Sequence, residues 1–292
     1  MISFRYHVVS LSAALLALAA GVVLGAGLLD RSDDDTDVRD GVVTDAGVSA
    51  FDSGYASRTA GDLVDDALEG RAVLVVTTPG ARAADVRGVT ANLEAAGGSV
   101  VGQLDLTSKL LDPGGRQFAD GVAEQAGAEV DEVSGATPGY ARIGAALSRA
   151  YLTKSAGGTA FDDTANQLRS AFDEGDLTTV GSAPQERASI AVVVTAPRSS
   201  ANEQQGASLA ALVRALDPGV GGLVVAGPST SSLDGGLVAA VRSDESASQV
   251  STVDVVDLPA GRVVVALAAA RDAAGEPGAW GTSRSPDGSL PR

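Results

Sequence analysis

The chain has 292 residues, of which 45% are hydrophobic, and its formal net charge is −16 at pH 7. The hydrophobic content is sufficient for a folded core, whereas the negative charge repels phosphate backbones, so no nucleic-acid partner is expected. Cysteine is absent. Disulfides, zinc–thiolate sites, iron–sulfur clusters and thiol nucleophiles are therefore excluded. The single histidine, His7, lies beside the first apolar segment, which excludes a Ser-His-Asp triad from the rest of the chain.

Residues 8–29 form an uncharged apolar segment of 22 residues. As a helix it would span roughly 33 Å, against a bilayer core of about 30 Å. Because it has no polar stripe, the sequence predicts a transmembrane anchor in contact with membrane lipid. Arg5 before the segment and the aspartates after it predict a cytoplasmic N-terminus and an extracytoplasmic body. The alternative is a cleaved signal peptide, but the length of the segment and its end at Leu28-Leu29-Asp30 favour a retained anchor.

Small residues recur at four-residue spacing along this segment, at Ala13, Ala17, Gly21 and Gly25. On a helix they lie on one face, and such a face allows two transmembrane helices to pack closely. The pattern predicts a homo-oligomer formed through the membrane helix. Chance recurrence in an alanine-rich segment is an equal alternative.

The rest of the chain divides into three parts. Residues 30–70 are predicted to be an acidic spacer with a short helix around residues 63–68. Residues 71–272 are predicted to form an extracytoplasmic α/β body. Residues 273–292 are rich in glycine, proline and serine and are predicted to be a flexible tail, which Trp280 could dock onto the body.

Strand and helix patterns alternate along the body. A β-branched strand at 72–78 is followed by a helix with apolar positions 86, 89 and 93, and then by a half-buried strand at 100–106. Residues 113–187 are predicted to be a mostly helical section. The later elements are strands at 190–195, 223–226 and 253–256, and helices at 209–216, 233–241 and 263–270. The alternation predicts a Rossmann-like α/β fold with a mainly parallel sheet that follows the single N-terminal transmembrane helix.

Two loops that follow predicted strands are candidate ligand loops. They are Thr78-Pro79-Gly80 and Gly227-Pro228-Ser229. The second could offer hydroxyls and backbone amides to an anion at a helix start, although serine there also serves simply as a helix cap. The chain has no G-x-G-x-x-G motif after a strand, no phosphate-binding P-loop and no G-x-S-x-G motif. The sequence therefore predicts no enzyme activity, no catalytic residues and no cofactor.

The N-terminal sequence MISFRYHVVSLSAALLALAAGVVLGAGLLD resembles the mycobacterial copper transport protein B (MctB) family. The resemblance continues through Ala50-Phe51, VLVVTTPGA, Leu111-Asp112-Pro113, VVVTAP and PGAWGTSRSPDGSLP. It implies a pore-associated protein with a role in copper export or homeostasis in the actinobacterial envelope. Two features depart from the family pattern. Residues 30–50 are short and interrupted by glycine where a longer heptad-like segment is expected, and Ala279-Trp280 stands where a histidine-bearing pair is expected.

The residues of the body do not themselves favour copper. Cu(I) prefers cysteine and methionine and Cu(II) prefers imidazole, but the chain has no cysteine, and its one methionine and one histidine are Met1 and His7. The sequence thus predicts an anchored envelope protein that acts in copper transport or homeostasis with other envelope proteins and without its own copper site. Two alternatives remain: an anchored scaffold or interaction protein, and an anchored hydrolase or transferase. The choice between inner and outer membrane is open.

Overall fold

The computed structural model describes residues 45–200, 203–282, 285 and 287–291. The chain divides into two compact units, Met1–Gly54 and Tyr55–Arg292. The predicted transmembrane segment at residues 8–29 and its small-residue stripe lie outside the described residues. Among the helices that the structure describes, none has the length and apolar character needed to cross a bilayer.

A seven-stranded sheet forms the centre of the second unit, with strand order β3-β2-β1-β4-β5-β6-β7. The strands are β1 (Ala72–Thr77), β2 (Ser99–Leu106), β3 (Thr178–Ser182), β4 (Ile190–Val194), β5 (Gly222–Ala226), β6 (Ser251–Val253) and β7 (Ala279–Trp280). All neighbouring pairs are parallel except β2 and β3, which are antiparallel. The predicted α/β class and mainly parallel sheet are confirmed.

Helices connect the strands. They are α1 (Asp45–Val64), α2 (Ala83–Ala95), α3 (Ser108–Leu111), α4 (Pro113–Ala126), α5 (Asp131–Ser134), α6 (Tyr140–Tyr151), α7 (Asp163–Glu174), α8 (Glu203–Leu216), α9 (Leu237–Ser243) and α10 (Pro259–Asp272). Short 3-10 turns lie at Arg198–Ser200, Asp217–Gly219, Ser229–Ser232 and Glu245–Ala247.

The central strands are apolar on both faces because both faces of the sheet are covered. Every residue of β1, β4 and β5 is buried. Since successive side chains of a strand point to opposite faces, Leu74 enters one hydrophobic cluster and Val75 enters another. The first cluster also contains Leu147 of α6, and the second contains Leu93 of α2. The continuous apolar runs in the sequence follow from this double burial.

The helical section predicted at 113–187 contains a strand that the sequence analysis did not identify. Helices account for much of the segment up to Glu174, but β3 then runs antiparallel to β2 at the edge of the sheet. The sequence of β3, TTVGS, has one buried residue, Thr178, and four exposed ones. An edge strand with so little burial has no alternating apolar pattern, so periodicity could not identify it.

The C-terminal residues 273–292 are not only a tail, because Ala279–Trp280 forms β7 beside β6. The Thr252 amide donates to the Gly278 carbonyl at 2.9 Å, and the Trp280 side chain is buried. A strand of two residues is too short to show a periodicity. The short helix predicted around 63–68 is wrongly placed, because the structure has the longer helix α1, which ends at Val64, and residues 65–68 form turns.

Replacing Phe172 with alanine tests how far the helical section contributes to the core. Phe172 on α7 is fully buried beside Leu168, so we expect Phe172→Ala to lower the free energy of unfolding by about 3–5 kcal/mol. Phe118→Ala is the matched control, because that ring is 47% exposed. Denaturant unfolding of the full-length chain in an uncharged detergent measures both. Equal losses for the two variants would contradict the assigned packing.

Candidate functional site

The crevice of a doubly wound sheet lies where the strand order reverses, outside the carboxyl ends of the strands. Here the chain moves from β1 to β2 in one direction and from β4 to β5 and β6 in the other, so the reversal lies between β1 and β4. Thr78 and Thr195 follow these two strands directly. The loops after β1, β4 and β5 therefore form the candidate site.

Hydrogen bonds join the loop after β1 to the loop after β4 at the base of the site. The Thr78 amide donates to the Val194 carbonyl at 3.1 Å, and the Ala196 amide donates to Thr78 Oγ1 at 3.0 Å. Gly80 has φ +81°, and a Cβ at this position would lie 3.0 Å from Cβ of Ser200. The loop after β4 thus packs directly against the loop after β1, and Gly80 provides both the backbone conformation and the space.

On the β2 side of these two joined loops, there is a crevice of about 480 Å³. It is lined by Thr77, Thr78, Gly80, Arg87, Gln103 and Asp105, among other residues. Asp105 Oδ1 accepts hydrogen bonds from Thr77 Oγ1 and from Gln103 Nε2, each at 2.7 Å. These bonds fix the carboxylate at the wall of the crevice opposite the start of α2. With Arg87 also in the lining, the crevice offers both a hydrogen-bond acceptor and a cation to a small polar ligand.

The loop after β5 is held by hydrogen bonds to Asp257, which follows β6, and by hydrogen bonds within the loop. Ser229 donates to Asp257 from its amide at 2.9 Å and from its hydroxyl at 2.7 Å. The Pro228 carbonyl accepts from the amide and the hydroxyl of Ser231. A Cβ on Gly227 would lie 2.3 Å from both Thr195 Oγ1 and Ser231 Oγ, so only glycine fits there. The groups of Ser229 that were expected to meet an anion are paired with Asp257.

Within the part of the chain that the structure describes, the two predicted ligand loops do not both line the β2-side crevice. The loop after β4 lies between them, and a second crevice of about 480 Å³ is lined on the β5 side by Arg198, Thr230 and Asp234, among others. In that crevice the Arg198 Nε donates to the Asp234 carbonyl at 2.7 Å. Of the six candidate loop residues, Thr78, Pro79 and Gly80 line the β2-side crevice. The ligand role of all six stays a prediction.

Sequence reasoning missed Asp105, Gln103, Arg198 and Asp257. Asp105 and Gln103 lie near the end of β2, and a carboxylate at that position of a doubly wound fold was a usable signal. Arg198 and Asp257 left no such signal, because their contacts join loops more than 25 residues apart in the sequence.

A buried ionic network holds the C-terminal strand beside the site. Asp254, which follows β6, is fully buried and pairs with Arg242 Nη1 at 2.9 Å. Its carboxylate also accepts from the Thr282 amide at 2.7 Å, and Arg242 Nη2 donates to the Trp280 carbonyl at 3.1 Å. Burial alone would raise the pKa of Asp254, but the Thr282 amide and the Arg242 guanidinium together hold this pKa below its ordinary value.

Known proteins with similar sequences align with most of the chain. The model of the family described as "Copper transport outer membrane protein, MctB" matches residues 1–291. The chain belongs to the MctB family. A protein named "Copper transporter MctB" from Mycobacterium tuberculosis (strain ATCC 25618 / H37Rv) is 31% identical over 92% of this chain and 92% of its own length. The protein of the same name from Mycobacterium leprae (strain TN) is 29% identical over 91% and 92%. The resemblance to the MctB family is confirmed.

Within the ranges that the structure describes, this MctB-family chain has no cluster of three or more histidine, cysteine, aspartate or glutamate residues arranged to hold a metal ion. The tail position where a histidine-bearing pair was expected is used for packing. The Trp280 ring is buried in the core, and the Ala279 amide donates to Asp287 Oδ2 at 2.7 Å.

Asp254→Asn tests the C-terminal network of this MctB-family chain. Because the variant leaves Arg242 without its buried partner, we expect a loss of about 3–5 kcal/mol in the free energy of unfolding at pH 7. The folded pKa of Asp254 is depressed, so its contribution is complete above the unfolded pKa of about 4 and is lost as the pH falls through the folded pKa. The difference between wild type and variant should therefore shrink below pH about 4.

Glu276→Gln is the control for this prediction. Glu276 makes a more exposed ion pair with Arg271, and removing such a pair costs at most about 1 kcal/mol. Denaturant unfolding from pH 7 down to the acid limit of the native state gives both differences. A difference between wild type and Asp254→Asn that stays constant across the acid range would show that Asp254 is not held ionised in the folded protein.

Proposed function

We propose that this chain acts in copper transport or copper homeostasis as an anchored envelope protein whose body has no specific copper site. The observation that carries the proposal is the match to a copper-transport family over residues 1–291. A match of this extent includes the predicted membrane segment as well as the α/β body. Copper is the cargo in this proposal, and the proposed function includes no enzymatic step.

The donor chemistry of the body supports an indirect role. The sequence from Val8 onward has no cysteine, methionine or histidine, so copper could meet only oxygen ligands, backbone amides and guanidinium or amine groups there. Soft Cu(I) binds such groups poorly, and Cu(II) prefers imidazole. The site carboxylates of Asp105, Asp254 and Asp257 already accept hydrogen bonds from neighbouring side chains. We infer that the body contributes by binding other envelope proteins rather than by carrying the ion.

The proposed topology depends on the first 40 residues. The uncharged segment at 8–29 would span the bilayer, with Arg5 on the cytoplasmic side and the acid-rich residues after Leu29 on the other. The family description, which names an outer membrane protein, supports a location in the envelope. A homo-oligomer formed through Ala13, Ala17, Gly21 and Gly25 belongs to the same proposal.

Cellular copper content tests the transport role. We expect a strain that lacks the gene to accumulate copper when it grows in copper-supplemented medium, and we expect the restored gene to return the content to the wild-type value. Elemental analysis of washed cells measures the content, with zinc as the control metal. Unchanged copper in the deletion strain would remove the transport role and would leave the anchored scaffold as the function.

A copper-binding measurement on the purified protein tests, separately from the transport role, whether the body lacks a copper site. We expect the full-length chain carrying His7→Ala, in an uncharged detergent, to bind no stoichiometric copper in competition with a chromophoric chelator, because no soft ligand follows Val8. Wild-type protein is the control for any contribution of the terminal imidazole. Tight one-to-one binding by the His7→Ala chain would contradict the proposal that the body lacks a site, whatever the deletion strain shows.

A further inference from the structure

A cavity of about 620 Å³ lies at the end of the sheet opposite the candidate site. Its walls come from one face of α6 between Ala141 and Arg149, the residues that enter β4 and the turn that enters β5. Three cationic side chains line it: Arg149, Lys154 and Arg187. These three cations lie together in a chain whose net charge is −16.

The two arginines of the cavity share one carboxylate oxygen. Arg149 Nη2 lies 2.8 Å from Asp162 Oδ2, and Arg187 Nη2 lies 3.9 Å from the same atom. Within the described part of the chain, Arg149 Nη1 and Arg187 Nε are buried without a hydrogen-bond partner. A buried donor on a charged group is costly when unpaired, and a charged acceptor makes the strongest hydrogen bond to it.

Cations outnumber carboxylates among the residues that line the cavity. Arg149, Lys154 and Arg187 line it together with one carboxylate, Glu132. Asp162, which pairs with both arginines, and Asp217, which lies near Lys154, are outside the lining. An anion that entered the cavity would therefore meet three cationic side chains in its walls.

The rest of the lining is largely apolar and includes Ala145, Leu152 and Pro218. A volume of about 620 Å³ is within the range of small-molecule sites. We propose that this cavity binds an amphiphilic organic anion, with the anionic head between Arg149, Arg187 and Lys154 and the apolar part against Leu152. The head could belong to a soluble carboxylate or to an anionic lipid, and both present the same chemistry to the cations.

Titration of the full-length chain in an uncharged detergent tests this inference. The probes are hexanoate for a soluble anion and dihexanoyl phosphatidylglycerol for a lipid, with hexanol and hexylammonium as controls of matched apolar length. Calorimetry corrected with a protein-free detergent blank measures binding. We expect saturable binding of at least one anion and none of either control. Saturation by hexanoate assigns a soluble anion, whereas saturation by the lipid alone assigns a lipid headgroup.

Variants locate the binding in this cavity. Arg187→Gln should weaken anion binding about tenfold, which corresponds to the loss of one charge-assisted hydrogen bond. Arg214→Gln is the matched control, because Arg214 lies on α8 with a half-exposed side chain paired with Asp244, outside the cavity lining. Ala141→Phe keeps every charge and fills the cavity from an exposed position on α6, so it should abolish binding while the thermal midpoint stays unchanged.

Three outcomes would overturn the inference: no saturable binding of either anion, equal binding of hexylammonium, or full binding retained by a folded Ala141→Phe chain. None of these results depends on copper, so the outcome is independent of the proposed function.

Discussion

The requirement to cover both faces of three short apolar strands organises the body of this protein. Every residue of β1, β4 and β5 is buried, and alternate side chains enter two separate hydrophobic clusters. Such strands are stable only where helices pack on both sides of the sheet. Because the three strands are parallel, the loops that follow their carboxyl ends lie at the same edge of the sheet. The candidate site at that edge is thus a consequence of how the core is covered.

Polar and charged groups fix the parts of the molecule that the hydrophobic clusters do not. Asp254 and Arg242 hold the two-residue strand β7 against β6, and Asp257 fixes the loop after β5 through Ser229. Each carboxylate accepts more than one hydrogen bond, which offsets the cost of burying it. The same carboxylates are consequently engaged within the fold.

Membership of a copper-transport family and the chemistry of the chain must be reconciled. The family match includes nearly every residue, yet the body has none of the cysteine, methionine or histidine side chains that bind copper well. A body that acts through other proteins or ligands satisfies both observations. Crevices lie at one end of the sheet, and the cavity lined by Arg149, Lys154 and Arg187 lies at the other.

The sequence by itself determined the α/β class, the two buried strand runs that became β1 and β4, the absence of soft metal ligands after Val8 and the family resemblance. These properties depend on composition and on local periodicity, which a sequence displays directly. Only the tertiary structure decided that Thr78 contacts Ala196 and that TTVGS and Ala279–Trp280 complete the sheet. It also decided that Arg149 and Arg187 share Asp162. Those contacts join residues far apart in the chain, so strand order and helix packing determine them. Neither strand order nor helix packing can be read from a local sequence pattern.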